Sequence, residues 1–458
     1  MGVSATGLGS GIDINSIVNK IVEAERSPKQ ERIVKGLNDV ETNISAYGRL
    51  KTSLDTMKDL MYDFRRNNTF AARSTVSSNE EAVSASADHQ AVTGVYSIDV
   101  QQLAQSHKLV SDGLDADTDF GAGQLTLSLG GRTTTIDIDA NSSTLLDVVR
   151  SINSSANNPG IKASVINDDS GARLILGGDK TGAENQISVT VNAPVSSPLQ
   201  ALAYNPASAT NSMNEMQAAL DARILIDGLA SVTSDTNTFS DAIRGVNIDV
   251  AQLTSAPEGS VTIKVEEDRD KVKASLEEFV DAYNAFYQVT KALSKYDPET
   301  RQGGPLVGDS VIRSAVNQMR SLFSSPIEGA PNSLRTLSEL GISTTMEGRL
   351  EINYDLLDKQ LTRNYGALEG FFGGNQGFAR KLEETVQNFT GVDGAIRNRE
   401  TSLGDQRIRL QDEQDNLDRR MEDLENRTLK QFSAMDSAMA QMQSQLAAMM
   451  SIMPTTTG

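Results

Sequence analysis

A chain of 458 residues exceeds what one compact core holds and should divide into about three or four domains. Its 61 carboxylates against 42 Lys and Arg give a net charge of −19, a surface that repels nucleic acid and anionic lipid. Cysteine is absent, which excludes a disulfide framework, a thiolate zinc site and a thiol nucleophile, and no stretch approaches the roughly twenty apolar residues of a membrane span.

Met1 to Ile17 carries neither a basic region nor a continuous apolar run, so no cleavable secretory signal is expected there. A protein of this kind leaves the cell only by a route that does not read such a signal. Gly2 to Gly11 reads as a flexible loop. Asp13 is the expected N-cap of a short helix bearing Ile14, Ile17, Val18, Ile21 and Val22. Ser27-Pro28-Lys29-Gln30 then reads as a break and a new capping box. Beyond it Ile33, Leu37, Val40, Ile44 and Tyr47 keep helical spacing, and Leu54, Met57, Met61 and Phe64 resume it after a slip.

From Ala71 the texture becomes β-rich. Period-two stretches fall at Val92 to Val100, Gln124 to Leu129, Thr133 to Ile138, Arg173 to Leu176 and Ile187 to Val191. Gly130-Gly131 marks a hairpin. One helix interrupts, from about Ser143 to Asn153. Residues 193–215, rich in Pro, Ala, Ser and Asn, read as an ordered loop or linker. Strands are expected again at Arg223 to Ile226, Val246 to Val250 and Val261 to Val265.

Helix returns near Asp268, where Val272, Leu276, Phe279, Tyr283, Phe286, Thr290 and Leu293 alternate steps of four and three. Asp297-Pro298 ends it, and Asp309 caps a helix from Ser310 to about Phe323. A short hairpin, Gly341 to Ile352, turns through Glu347-Gly348. Helices resume near Asp355, pause at Gly373-Gly374 and end in a long amphipathic helix. Its apolar seam runs Leu403, Leu410, Leu417, Met421, Leu424, Phe432, Met435, Met439, Met442, Leu446 and Met449. The terminal seams are expected to pack on each other and on partner helices. That arrangement points to assembly rather than to catalysis.

Several motifs have a chemical and a bland reading. Gly7-x-Gly9-x-Gly11 lacks the preceding strand and the Lys-Ser/Thr of a phosphate loop, so a flexible loop is expected. Asp115, Asp117 and Asp119 open like a calcium loop, but glycine comes seventh rather than sixth and Thr126 stands where a bidentate Glu is required. An acidic turn is the preferred reading, a weak ion site the other. His89 and His107 read as ordinary strand or loop residues. The methionine stripe reads first as coiled-coil core, and second as a repackable surface suited to changing partners.

Gly7-Leu8-Gly9-Ser10-Gly11-Ile12-Asp13, Ile17-Val18 and Glu23-Ala24-Glu25 resemble the opening of the bacterial flagellar filament cap family, also called hook-associated protein 2. Phe279-Val280-Asp281-Ala282-Tyr283-Asn284 and Leu306-Val307-Gly308-Asp309 are similar to signatures in that family's second half. Leu340-Gly341-Ile342, the Glu347-Gly348 turn, Leu350, Leu356 and Phe371-Phe372 resemble its hairpin-and-helix pattern, with Glu347 replacing the usual Asp. Leu145, Val149, Ile152-Asn153, Gly160-Ile161-Lys162-Ala163 and Leu174-Ile175-Leu176 resemble an insert module shared with flagellins. These matches lie in family order over almost the whole chain.

The expected fold is α+β and multidomain: a helical stem, built of N- and C-terminal coiled-coil-like helices and a helical bundle, with two nested β-rich head domains. The expected division is 1–40 as a mobile stem helix, 41–70 with 268–400 as the bundle, 71–111 with 221–267 as one head domain, 112–220 as the nested insert, and 401–458 as the C-terminal stem helix.

The resemblance implies a non-enzymatic cap: a homo-oligomeric ring at the distal tip of the flagellum that helps exported flagellin fold and insert. It implies self, flagellin, the hook-filament junction protein and an export chaperone as partners, with no cofactor, no metal, no nucleic acid and no membrane. It also implies an extracellular site reached through the flagellar type III channel. The heads would close the ring while the stem reaches toward flagellin. Expected stem contacts are Ile14, Ile17, Ile21, Leu417, Leu424, Phe432, Met435, Met439, Met442 and Leu446. A structural or adhesive flagellar protein of flagellin or junction type is the alternative, and an enzyme a distant third.

Overall fold

The structure is a computed structural model that describes residues 13–115, 117–254, 259–299 and 301–452, with side chains through 449. The expected loop from Gly2 to Gly11 lies outside those residues. The chain separates into two units, one holding residues up to Phe70 and from Val272 onward, the other Ala71–Lys271. The α-helices among the described residues are α1 (Ile14–Arg66), α2 (Leu145–Ser154), α3 (Arg269–Ser294), α4 (Ser310–Ser324), α5 (Tyr354–Arg363), α6 (Tyr365–Phe372), α7 (Phe378–Thr390) and α8 (Ala395–Ile452).

Asp13 caps α1 as its position suggested, accepting the Ser16 amide at 3.1 Å. The expected break at Ser27-Pro28 does not occur. Pro28 lies inside one continuous helix, and the Ser27 hydroxyl donates to Glu31 Oε1 at 3.4 Å instead of capping. A proline inside a helix removes one backbone hydrogen bond and costs about 3 kcal/mol. Contacts with α8 on both sides of Pro28 offset that cost. The C-terminal helix likewise begins earlier than its seam suggested, at Ala395.

The second half of α1 enters the core of the helical unit with Leu50, Leu54, Met57, Met61 and Phe64, alongside α3, α4, α6 and α7. Aromatic rings dominate that core: Phe279 meets Phe378 edge-on at 5.6 Å, and Phe70 stacks on Phe372 at 3.9 Å. Polar ties fix the register. The Tyr47 hydroxyl donates to Asp309 Oδ2 at 2.6 Å, while Asp309 Oδ1 accepts the Val311 amide at 2.7 Å and caps α4. Burial, and then the Asp309 carboxylate, push the Tyr47 phenol well above its ordinary range. Asp55 accepts from Thr390 at 2.8 Å. Burial pushes its carboxyl up, but hydrogen bonds from Lys51, Lys58 and Thr390 outweigh that and hold it below the usual range.

The Phe279–Asn284 segment ties α3 to the hairpin of strands Ile342–Thr344 and Leu350–Ile352. Phe279 and Tyr283 are fully buried, and the Tyr283 hydroxyl donates to the Gly348 carbonyl at 2.9 Å. Asn284 spans the Leu350 backbone, donating to its carbonyl at 3.0 Å and accepting its amide at 2.9 Å.

The β-rich unit is antiparallel throughout its paired strands and has two cores. Around the first lie a five-stranded sheet, in the order Arg73–Ser77, Val261–Glu267, Gly94–Gln102, Ala222–Ile226 and Ala230–Ser234, and a three-stranded sheet of Thr238–Ile243, Val246–Val250 and Val83–Ala87. Around the second lie a four-stranded sheet of Met213–Gln217, Ser106–Ser111, Gly171–Thr181 and Ile161–Asp168, a three-stranded sheet of Arg132–Ile138, Gly123–Leu129 and Ile187–Asn192, and α2. Gly130 and Gly131, at φ +56° and +76°, form the two-residue turn that only positive φ permits. Thr144 and Asp147 close a capping box on α2.

Of the two readings of residues 193–215, the ordered loop holds and the linker does not. Ser197 caps a 3₁₀ turn at Pro198–Leu202, Leu199 and Leu202 are wholly buried in the second core, and Met213–Gln217 is a strand. His107 is buried there: its Nδ1 accepts the Ile187 amide at 2.9 Å and its Nε2 donates to Glu215 Oε1 at 2.9 Å.

Replacing Asn284 by Ala strands two backbone groups of Leu350 and should cost about 1–3 kcal/mol. Chemical denaturation of the full chain, read with exchange of the Leu350 amide, checks this. Unchanged protection of that amide would show that apolar packing alone holds the hairpin.

Candidate functional site

The helical unit pairs α1 with α8 as an antiparallel couple. Rising positions on one helix meet falling positions on the other. Glu41 faces Arg407 at 3.8 Å, Arg32 faces Glu413 at 3.2 Å, and Arg26 pairs with Asp418. Between them Gln30 and Gln414 exchange reciprocal amide hydrogen bonds at 2.7 and 2.8 Å. The helices approach closely at Gly36, where an added Cβ would lie 3.1 Å from Leu410 Cδ1. Inside this polar ladder Ile33, Leu417 and Met421 are buried, flanked by Val22, Leu37 and Leu424. The exposed ion pairs contribute little, about 0–1 kcal/mol each, so the apolar rungs hold the couple.

A helix turns about 100° per residue, so positions 18 apart lie on the same face. Leu417 and Met435, Met421 and Met439, and Leu424 and Met442 are such pairs. The seam that α1 covers therefore continues, unchanged in direction, along the rest of α8. Its continuation is open: Met435, Met439, Met442, Leu446 and Met449 are 49, 39, 57, 58 and 64% exposed. The pairing register carries their opposite positions back past Ile14, outside the described residues.

Of the expected contacts, Ile14 and Leu417 are buried, Ile17, Leu424 and Phe432 are half-buried, and Ile21 is 41% exposed. Ile21, Met421 and Leu424 line a groove of about 710 Å³ edged by Glu25, Lys29 and Arg427. The structure thus brings Ile21 and Leu424 together and leaves Met435, Met439, Met442 and Leu446 as an uncovered run. Val18 and Met421, both buried, belong to the expected seams though not to the expected contact set, and the Gln30–Gln414 pair belongs to neither. A helical wheel carried the signal for Met421. Nothing in the sequence pointed to the glutamine pair.

Among the described residues no group of three side chains is placed to hold a metal ion. Asp119 accepts from the Ser143 hydroxyl and from the Gly121 amide at 2.9 Å, which folds the acidic segment into a turn. Both nitrogens of His107 are occupied by structural bonds.

A carboxylate at Met421 enters the closed part of the seam and one at Met439 enters the open part. Met421→Glu should therefore open the couple in the free chain, raising amide exchange on both sides of Asp418, because an unpaired charge does not survive burial there. Met439→Glu should change stability by about 0.5 kcal/mol or less. Similar destabilisation by both would mean that the outer seam is covered within the free chain.

The profile of the flagellar hook-associated protein 2 N-terminus matches residues 10–107, and that of its C-terminus matches residues 219–444. The flagellin hook IN motif matches residues 124–180, within the second β core. The flagellar hook-associated protein 2 of Vibrio cholerae is 33% identical, with 98% of this chain and 99% of that protein covered. The B-type flagellar hook-associated protein 2 of Pseudomonas aeruginosa is 31% identical, covering 99% and 98%. Among solved structures, the D1-D2-D3 domains of the flagellar cap protein from Escherichia coli superpose with a TM-score of 0.67 at 28% identity, covering 78% of this chain and 99% of that one. With two family profiles and two relatives matched over nearly its whole sequence, the chain belongs to the flagellar hook-associated protein 2 family of flagellar cap proteins.

Proposed function

We propose that this protein acts without enzymatic chemistry, as a homo-oligomeric ring at the distal tip of the flagellum that promotes folding and insertion of exported flagellin. Flagellin and the hook-filament junction protein are its partners outside the cell. An export chaperone accompanies it before passage through the flagellar type III channel. The observation that carries this reading is the division of one apolar stripe into a closed half and an open half. The closed half, from Leu417 to Leu424, fixes α8 on α1. The open half presents Met435, Met439, Met442 and Leu446 to whatever helix arrives.

Such a surface suits an assembly aid for two physical reasons. An exported subunit must bury its own amphipathic helices, and a lone amphipathic helix is marginal in water. Methionine is flexible and polarizable, so a methionine face repacks as successive partners come and go. In this reading Ile14, Ile17, Ile21, Leu417, Leu424 and Phe432 set the stem that carries the open face. The division into 1–40, 41–70 with 268–400, 71–111 with 221–267, 112–220 and 401–458 separates stem, bundle and heads.

The test is complementation of cells that lack their own cap protein. Met439→Glu and Leu446→Glu place charge on the open seam, where covering it costs several kcal/mol, of order 3–5 for an unpaired buried charge. Ser444 and Gln441 lie off the stripe by helical geometry, so glutamate there should cost about 0.5 kcal/mol or less. Filament growth should fail for the first pair, with flagellin lost to the medium, and persist for the second. Equal behaviour of Met439→Glu and Ser444→Glu would sink the contact role of the stripe.

A further inference from the structure

Seven of the chain's 14 methionines fall between positions 421 and 453, and no cysteine accompanies them. Met435, Met439, Met442 and Met449 lie within an arc of about 80° on α8, by a turn of about 100° per residue. They are 49, 39, 57 and 64% exposed. Elsewhere Met57, Met61 and Met319 are wholly buried, and Met421, one register step down the same stripe, is only 4% exposed beneath α1. Met216 and Met346 are exposed as well, but each stands alone, one on the strand Met213–Gln217 and one in the hairpin turn before Leu350. With no thiol in the chain, thioether sulfur is the first group that a hydroperoxide meets.

We propose that the open face of α8 is an oxidation site: hydroperoxides convert Met435, Met439, Met442 and Met449 to sulfoxides in the free chain and thereby switch off its assembly. At each residue a sulfur lone pair attacks one peroxide oxygen. The O–O bond breaks, an S–O bond forms, and the second oxygen leaves with the peroxide proton, as water from hydrogen peroxide or as an alcohol from an organic hydroperoxide. Sulfur gives up two electrons and the peroxide takes them. Each product is a polar, chiral group where an apolar contact stood, so four together turn the stripe from apolar to polar. The order of oxidation follows from exposure alone. The loss of assembly rests on the contact role proposed above. Reduction of the sulfoxides restores the thioethers, which makes the change reversible.

The full-length chain is treated with hydrogen peroxide and mapped by peptide mass spectrometry, each sulfoxide adding about 16 Da. Met435, Met439, Met442 and Met449 should be modified while Met57, Met61, Met319 and Met421 stay intact, and thermal melting should not shift. Treated protein added to cap-deficient cells should no longer restore filament growth. Methionine sulfoxide reductases of both stereospecificities should bring growth back. The double variant Met216→Leu/Met346→Leu should lose growth on oxidation as the native chain does. Oxidation of Met57 or Met421 at the same rate as the four would overturn the proposal, as would a loss that reduction does not reverse or that the double variant escapes. If oxidised protein still caps while Met439→Glu does not, oxidation is harmless and the contact role stands. If both still cap, the contact role itself has failed.

Discussion

The burial of one apolar stripe of α8 against α1 is the interaction on which the rest of the helical unit's behaviour depends. Ile33, Leu417 and Met421 form a thin core, and burying each such side chain is worth about 1.5–3 kcal/mol. That is enough to keep two long helices together, but only where their lengths overlap. Past the overlap α8 keeps the same stripe with nothing described against it. A surface that must be apolar to receive a partner, yet wait exposed, arises here as the plain continuation of a stripe that is closed lower down.

The stripe is held in place from below. α1 continues from its pairing with α8 into the aromatic core, so the couple and the bundle share one rigid element. Tyr47 with Asp309 ties that element to α4, and Asp55 with Thr390 ties it to α7. The segments that resemble family signatures have structural duties in this arrangement. Asn284 clamps the hairpin backbone, and Asp309 serves two helices at once. Their work is to fix the base of the stem.

Much of this was legible in the sequence because it depends on period. The seam of α8, the stripe of α3, the Asp13 and Asp309 caps and the Gly130-Gly131 turn follow from local chemistry. Pro28 misled because a local rule met a tertiary one: the cost of one proline is offset by Arg26, Gln30 and Ile33 gripping α8 on either side. Residues 193–215 were legible as an ordered loop, but the 3₁₀ turn and bridge that Leu199, Leu202 and Tyr204 make there follow no strand or helix period. Strands such as Val83–Ala87 carry small residues with weak alternation, and the pairing with Val246–Val250 is not marked by a local period. The expected contact set was legible as a stripe. Where the stripe closes and opens was not, since that depends on the pairing register of two helices almost 400 positions apart in the chain, as Arg26 and Asp418 show.

Amide exchange along α8 tests the central claim most directly, first in a verified monomer and then in the assembled cap. Protection in the monomer should be strong from Leu410 to Leu424, fall away after Phe432 and be nearly lost by Met449, because the apolar stripe of α8 is open there. Assembly should extend slow exchange through Met435, Met439, Met442 and Leu446. Uniform protection to Met449 in the monomer would contradict the account, since the stripe would already be closed and have nothing to offer an arriving helix.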